Sequence, residues 1–175
     1  MGENREVLLS AAEIGRRVDL LAAAIDKVID DQTVAVCLLT GGLWFAADLM
    51  RALAALDRHP LFDAVRLSSY GEARVSSGEV SVLHGLQGRV DGRQVLLIDD
   101  VFDSGLSMSA AAGLVREAGA REVLCAVFAR KPWPSARAIE PDFVGWDAPE
   151  RFLVGYGMDA AGRFRGLPAI AALDD

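Results

Sequence analysis

Cysteine and histidine are almost missing from this chain, with two of each among 175 residues. That scarcity excludes a disulfide framework and leaves no recurring metal-ligand spacing. Cys37 and Cys125 both fall inside apolar runs that read as strands, so they are expected as reduced, buried thiols. His59 and His84 stand apart in turn-like sequence. Positive charge is also short: 18 Lys and Arg face 25 Asp and Glu, a net charge of −7. The sequence pI of about 4.8 argues against a generic nucleic-acid or anionic-membrane surface. No apolar run approaches the roughly 20 residues that span a bilayer. Met1-Gly2-Glu3-Asn4-Arg5-Glu6 is too polar for a signal-peptide core. A cytoplasmic protein with no nucleic-acid or membrane partner is the expectation. Internal repeats and low-complexity tracts are missing as well.

What the chain does have is apolar content of 52% and a mean hydropathy of +0.26, enough to bury a sizeable core. Nothing calls for a cut, and residues 1–175 read as one domain. Helical and strand patterns alternate. Ser10 to Asp30 places Ile14, Val18, Leu21, Ala22, Ile25, Val28 and Ile29 at near-helical spacing. Val34 to Leu39 reads as a short buried strand, Leu43 to Leu56 as a second helix and Phe62 to Ser68 as another strand. Gly71 to Gly78 reads as a loop, Val80 to Leu83 as a strand, and Asp91-Gly92 as a turn before the apolar run Val95 to Ile98. A helix from Ser107 stops near Gly119, and a strand follows from Glu122 to Phe128. This rhythm predicts an α/β fold with a parallel sheet covered on both faces. Ligands of such sheets bind beyond the carboxyl ends of the strands, where Thr40, Asp99 and Lys131 would sit.

The most informative stretch is Val95-Leu96-Leu97-Ile98-Asp99-Asp100-Val101-Phe102-Asp103-Ser104-Gly105-Leu106-Ser107. An apolar strand runs into two adjacent carboxylates, a third follows at Asp103, and a hydroxyl- and glycine-bearing loop opens a helix. That order suits a phosphorylated sugar: amides at the loop and helix start can hold a phosphate, and carboxylates accept bonds from sugar hydroxyls. Repulsion among the acids raises their pKa values or calls for a cation, so Mg²⁺ is expected.

The run resembles the phosphoribosyl-pyrophosphate (PRPP) signature of the type I phosphoribosyltransferases, and its surroundings are similar to the hypoxanthine-guanine branch. Leu38-Leu39-Thr40-Gly41-Gly42 and the sequence to Leu49 resemble that branch's pyrophosphate loop and helix. Ser68-Ser69-Tyr70-Gly71, followed by Ser76 to Val80, resembles its mobile lid. Lys131-Pro132, Pro141-Asp142-Phe143-Val144-Gly145-Trp146 and Pro149 to Asp159 resemble its base-binding segment. The likeness runs in order from about Val34 to Leu173. It implies a Rossmann-like type I phosphoribosyltransferase fold: a central parallel sheet flanked by helices, with a small hood drawn mainly from residues 131–175. The implied partners are PRPP and a 6-oxopurine base, within a homodimer or homotetramer, and the implied cofactor is Mg²⁺.

The resemblance also implies roles. Asp103, Ser104, Gly105, Leu106 and Ser107 would cradle the 5′-phosphate; Ser107 would equally serve as a helix cap. Asp99 and Asp100 would hold the ribose hydroxyls directly or through Mg²⁺, with Asp159 a further metal-side carboxylate. Asp103 would face N7 of the purine and manage its proton. Thr40 and Gly41 would contact pyrophosphate through the backbone, with Arg165 adding charge; Gly41-Gly42 alone would also suit an ordinary strand–helix turn. Lys131 offers donors and no acceptor, which suits a 6-oxo group and disfavours a 6-amino group. Phe152 would stack on the base, and the Leu153 backbone would read its edge. Ser69 and Tyr70 would begin the lid. Trp44, Trp133 and Trp146 read as packing residues.

Two departures stand out. Related enzymes often carry Lys or Arg where this chain has Thr40, and a basic residue usually follows within four positions of Lys131. Here Trp133, Pro134 and Ser135 occupy that ground, and Arg137 is the nearest replacement. The expected activity is purine salvage: phosphoribosyl transfer from PRPP to hypoxanthine or guanine. A PRPP-sensing regulator that binds nucleic acid on the same scaffold is a rival that the acidic balance disfavours. A xanthine-preferring enzyme is a second rival, and an orotate or adenine enzyme is weakened by Lys131 and the Phe152 segment.

Overall fold

The computed structural model describes residues 5–69 and 80–173. Its elements run β1 (Arg5–Leu9), α1 (Ala11–Ile25), β2 (Val34–Leu39), α2 (Leu43–Ala55), β3 (Leu61–Ser69), β4 (Val80–His84), β5 (Gln94–Phe102), α3 (Leu106–Glu117), β6 (Glu122–Arg130), β7 (Phe143–Asp147), β8 (Leu153–Val154) and β9 (Ile170–Leu173). Six strands form the main sheet in the order β4-β3-β2-β5-β6-β7. Neighbours from β3 through β7 pair in parallel, and β4 lies antiparallel on β3 at one edge. The expected parallel sheet is therefore present, with one reversed edge strand.

Strand β5 explains the central position. Its residues from Gln94 to Ile98 are all buried, as a strand covered on both faces requires. Leu96 and Ile98 face a core shared with α1 and α2, where Phe45, Leu49 and Phe128 pack. Val95 and Leu97 face the other core, with Met108 and Val115 of α3. Alternation along one strand thus feeds two layers. Cys37 and Cys125 are unpaired and buried, and that burial pushes each thiol up to about 12.

Helix α1 begins at a capping box: Ser10 Oγ accepts from the Glu13 amide at 3.3 Å, while Glu13 accepts from the Ser10 amide at 2.9 Å. The sequence predicts this helix to Asp30, but it ends at Ile25. Asp30 instead accepts from the Gln32 amide at 2.9 Å, a local side-chain bond that competes with helix and turns the chain into β2.

The hood region has its own architecture. It contains a second sheet, β1-β9-β8, in which Arg5 pairs with Leu173 and Leu153 with Ala172. Residues 131–175 therefore do not build it alone; the first strand is its edge. Strands β1, β7, β8 and β9 go unread in sequence because they are short, and β8 has only two residues. Tyr70 and the loop from Gly71 to Gly78 assigned to the lid lie outside the described residues, and Ser69 closes β3. Among the described residues no helix is long and apolar enough to cross a membrane.

The return from β4 is anchored by Asp63 on β3. Its carboxylate accepts from the amides of Ala64 at 2.7 Å, Gln87 at 2.9 Å and Gly88 at 2.8 Å. Asp63→Ala strands three amides, one beside a buried position, and is expected to lower stability by about 2–3 kcal/mol in urea unfolding. Asp63→Asn, with one acceptor oxygen left, is expected to fall between.

Candidate active site

Strand β2 and strand β5 are neighbours in the sheet, and the chain leaves β2 for β3 on its other side. Their carboxyl ends mark the point where strand order reverses, and a crevice opens there. The Leu39–Thr40 peptide bond is cis. Gly41 follows, and a Cβ on it would lie 2.2 Å from an Asp100 carboxylate oxygen. Gly157, at φ +102°, comes from the loop after β8, and a Cβ there would lie 2.1 Å from the Gly41 carbonyl oxygen. Only glycine admits this approach on both sides. Gly42 is the last residue before α2 and offers no side-chain cap.

Sequence reasoning places Asp99 and Asp100 at a strand end, but β5 continues to Phe102 and both acids lie inside the strand. Pairing with β6 through Val101 and Phe102 carries the strand past them. Asp99 accepts from the Asp100 amide at 3.0 Å, and Asp100 accepts from the Val101 amide at 2.9 Å. Burial, and then the charge of Asp100, holds the Asp99 carboxyl well above the usual carboxylate range. Burial also raises Asp100, against the pull of its backbone bonds and of Arg165.

The loop after β5 opens α3 through Gly105, which adopts φ +79° and serves as the N-cap without a side-chain bond. Ser107 is therefore not the cap: it lies one residue inside the helix. Ser104 Oγ accepts from the Leu106 amide at 3.4 Å. The first amides of α3 lack intrahelical partners by geometry, and the residues from Gly105 to Met108 that carry them line a cavity of the crevice.

Across the crevice, Lys131 follows β6, and its Nζ stands 4.0 Å from Asp103 Oδ2. A cavity of about 620 Å³ holds Asp103, Lys131, Trp133 and Phe152 in its wall. Phe152 is 52% exposed and Trp133 42% exposed. Trp133 is thus a cavity wall rather than a packing residue, because Pro132 and Pro134 on either side keep its segment out of the sheet. A second cavity of about 270 Å³ is lined by the run from Asp99 to Met108. A third of about 530 Å³ includes Gly41, Asp100, Ser107, Leu153, Asp159 and Arg165. Asp103 is common to the first two, Lys131 and Phe152 to the first and third, so the three form one branched cleft. Thr40 is exposed at its edge.

Arg165 donates to the Gly157 carbonyl at 2.6 Å and pairs with Asp159 at 2.6 Å. Asp159 is therefore tied to arginine, on the cavity wall it shares with Asp100. Among the described residues no group of three or more His, Cys, Asp or Glu gathers to hold a metal. The chemistry of the Asp99–Asp100 pair still fits a hard cation: two adjacent carboxyls, both raised by burial, in a cleft with room for substrate oxygens and water. The loop itself is held by Tyr156, whose hydroxyl donates to Asp48 at 2.9 Å and whose ring meets Phe128 edge-on at 5.0 Å. Sequence reasoning missed Asp48, Tyr156 and the partners of Arg137, which only the tertiary contacts reveal.

A doubly wound sheet with an acidic, glycine-lined cleft at its switch point defines an α/β protein built to hold a phosphate-bearing ligand. The chain belongs to the phosphoribosyl transferase family, whose domain model matches residues 8–161. It is similar to the hypoxanthine-guanine phosphoribosyltransferase of Bacillus subtilis (strain 168), with 38% identity across 96% of this chain and 92% of that one. The enzyme of the same name from Aquifex aeolicus (strain VF5) is 34% identical across 99% of this chain and 97% of its own. Among solved structures, a hypoxanthine phosphoribosyltransferase from Staphylococcus aureus superposes with a TM-score of 0.89 at 29% identity, covering 98% of this chain and 92% of that one.

The acidic pair makes a pH prediction. A carboxyl whose pKa is raised by folding binds its proton more tightly in the folded chain, so stability falls as pH climbs from the unfolded value through the raised one. Without divalent cations, Asp99→Asn is expected to raise Tm at about pH 8 by about 2–4 °C, the shift that ~1 kcal/mol produces in a chain this long. The gain should shrink as pH falls towards the ordinary carboxylate range of about 4, because the wild-type Asp99 side chain is then increasingly neutral, like the asparagine that replaces it. Calorimetric scans across that range check it.

Proposed function

We propose that this protein is a purine-salvage enzyme that transfers the 5-phosphoribosyl group from PRPP to hypoxanthine or guanine, giving IMP or GMP and pyrophosphate. The observation that carries this reading is one cavity wall shared by a carboxylate, an ammonium 4.0 Å from it and an exposed phenylalanine. Those are the groups a 6-oxopurine needs: an acceptor for N7–H, a donor for O6 and a stacking surface.

In this reading the 5′-phosphate sits on the amides and hydroxyls from Asp103 to Ser107, at the start of α3. Asp99 and Asp100 take the ribose hydroxyls, and the Thr40 and Gly41 backbone with Arg165 takes pyrophosphate. The base lies on Phe152 with its edge at the Leu153 backbone and O6 at Lys131. As N9 bonds to carbon 1 of the ribose, the bond from that carbon to the pyrophosphate oxygen breaks, and its electron pair leaves with pyrophosphate. Asp103 receives the N7 proton. No protein nucleophile is required. Asp99 and Asp100, with Asp159 on the pyrophosphate side, would hold Mg²⁺, which when bound stabilises the charge on departing pyrophosphate. Thr40 leaves pyrophosphate with one cation fewer than the usual Lys or Arg would give, and Arg165 carries that charge.

The reading extends to a cytoplasmic homodimer or homotetramer with no nucleic-acid partner. The unpaired thiols and the exposed apolar side chains of Leu56, Leu61 and Phe62 support it. Turnover of PRPP with hypoxanthine, guanine, xanthine and adenine in parallel, with and without Mg²⁺, tests it. Turnover of oxopurines but not adenine is expected, with Asp103→Asn lowering kcat by about 10²–10⁴-fold. PRPP binding without turnover of any base would sink the enzyme reading and favour a PRPP sensor. Faster turnover of xanthine than of the other bases would favour the xanthine-preferring rival.

A further inference from the structure

Parallel pairing between β5 and β6 ends at Phe102 and Arg130, and the next residues on the two strands are Asp103 and Lys131. The two side chains proposed to grip one base therefore stand just beyond the last rung that holds their backbones together. A single backbone bond crosses there, from the Lys131 amide to the Phe102 carbonyl at 2.9 Å.

Arg137 occupies the place of the missing rung. Its Nε donates to the Asp103 carbonyl at 2.7 Å and its Nη2 donates to the Lys131 carbonyl at 2.6 Å. Glu140 meets Nη1 at 3.3 Å, and the guanidinium lies over the Phe102 ring at 4.7 Å. The side chain is only 8% exposed. Both carbonyls need a partner at a point where the ladder supplies none, and the rigid fork of a guanidinium can meet two at once. These bonds also settle where Arg137 points: towards the backbone beneath Asp103 and Lys131, not towards the pyrophosphate end of the cleft.

We propose that Arg137 is a positioning residue that fixes the spacing of the Asp103 carboxylate and the Lys131 ammonium, so that oxo-over-amino selectivity depends on a side chain that touches no substrate. The inference rests on the base-binding reading above. A base held by O6 and N7 together tolerates little drift between its two partners, and misplacement by about 1 Å can cost 10²-fold. The charge keeps both bonds short, and the Phe102 ring beneath adds a cation–π contact to the guanidinium.

The test compares wild type, Arg137→Met and Arg137→Lys by steady-state kinetics with hypoxanthine and adenine, alongside thermal unfolding and the KM for PRPP. For folded Arg137→Met, kcat with hypoxanthine is expected to fall about tenfold or more, and the hypoxanthine-to-adenine ratio of kcat/KM to fall at least about tenfold. The KM for PRPP should stay within about threefold, because the phosphate amides are not among the bonds removed. Arg137→Lys keeps the charge but cannot bridge both carbonyls, so it is expected to fold and to recover only part of the ratio. An unchanged ratio in a folded Arg137→Met, or full recovery in Arg137→Lys, overturns the inference. Should Arg137→Met fail to fold, an unchanged ratio in Arg137→Lys overturns it and a reduced one upholds it. A wild type that turns over no base marks failure of the enzyme reading. The inference is then read from the binding of IMP against AMP, followed by tryptophan fluorescence: a preference lost in Arg137→Lys upholds it, and one retained, or absent from wild type, overturns it.

Discussion

The cleft depends on one close approach: the Gly41 backbone lies against the Asp100 carboxylate while Gly157 rests on the Gly41 carbonyl. Three parts of the chain, the end of β2, the interior of β5 and the loop after β8, reach contact there without a side chain between them. Because no Cβ separates them, the acidic floor and the hood are set at a fixed distance. Arg165 reinforces the stack by donating to the Gly157 carbonyl while it holds Asp159. Tyr156, beside Gly157, ties the same loop to Asp48 on α2. Packing density and polar satisfaction thus act on one small volume.

From that centre the cleft divides its tasks by element. Strand β5 and the start of α3 supply acids and amides, the natural environment for a phosphorylated sugar. The segment after β6 and the residue just before the short β8 supply an ammonium and an aromatic face, which the proposed reading gives to a planar base. The two halves meet at Asp103, which lines both cavities. Burial disfavours ionisation of both acids, a cost that a bound cation or a donor-rich ligand would offset.

Much of this was legible in the order of residues. The starts of the buried run at Val95 and of the helix at Ser107 were read to within one residue, because strand burial and helical spacing each leave a local mark. The match of β2 from Val34 to Leu39 has the same cause. What failed was whatever depends on distant partners. Asp99 and Asp100 looked like a strand terminus because charge usually ends a strand, and only pairing with β6 carries β5 to Phe102. Trp133 read as packing since tryptophan usually is; the flanking prolines were the signal that could have placed it outside the sheet. The partners of Arg137 lie at Asp103 and Lys131, and no spacing rule encodes a bond to a backbone carbonyl 34 positions away. Strand β1 is invisible alone because, among the described residues, it pairs only with the last strand.

That pairing of first strand with last has a consequence for biosynthesis. Arg5 emerges from the ribosome long before Leu173, its partner in the hood sheet. At ~5–20 residues per second, β1 waits roughly ten to thirty seconds while the whole main sheet is made. During that interval the sheet strands can already assemble, yet the hood has an unfilled edge. The nascent chain can therefore acquire the acidic floor of the cleft well before the hood sheet is complete.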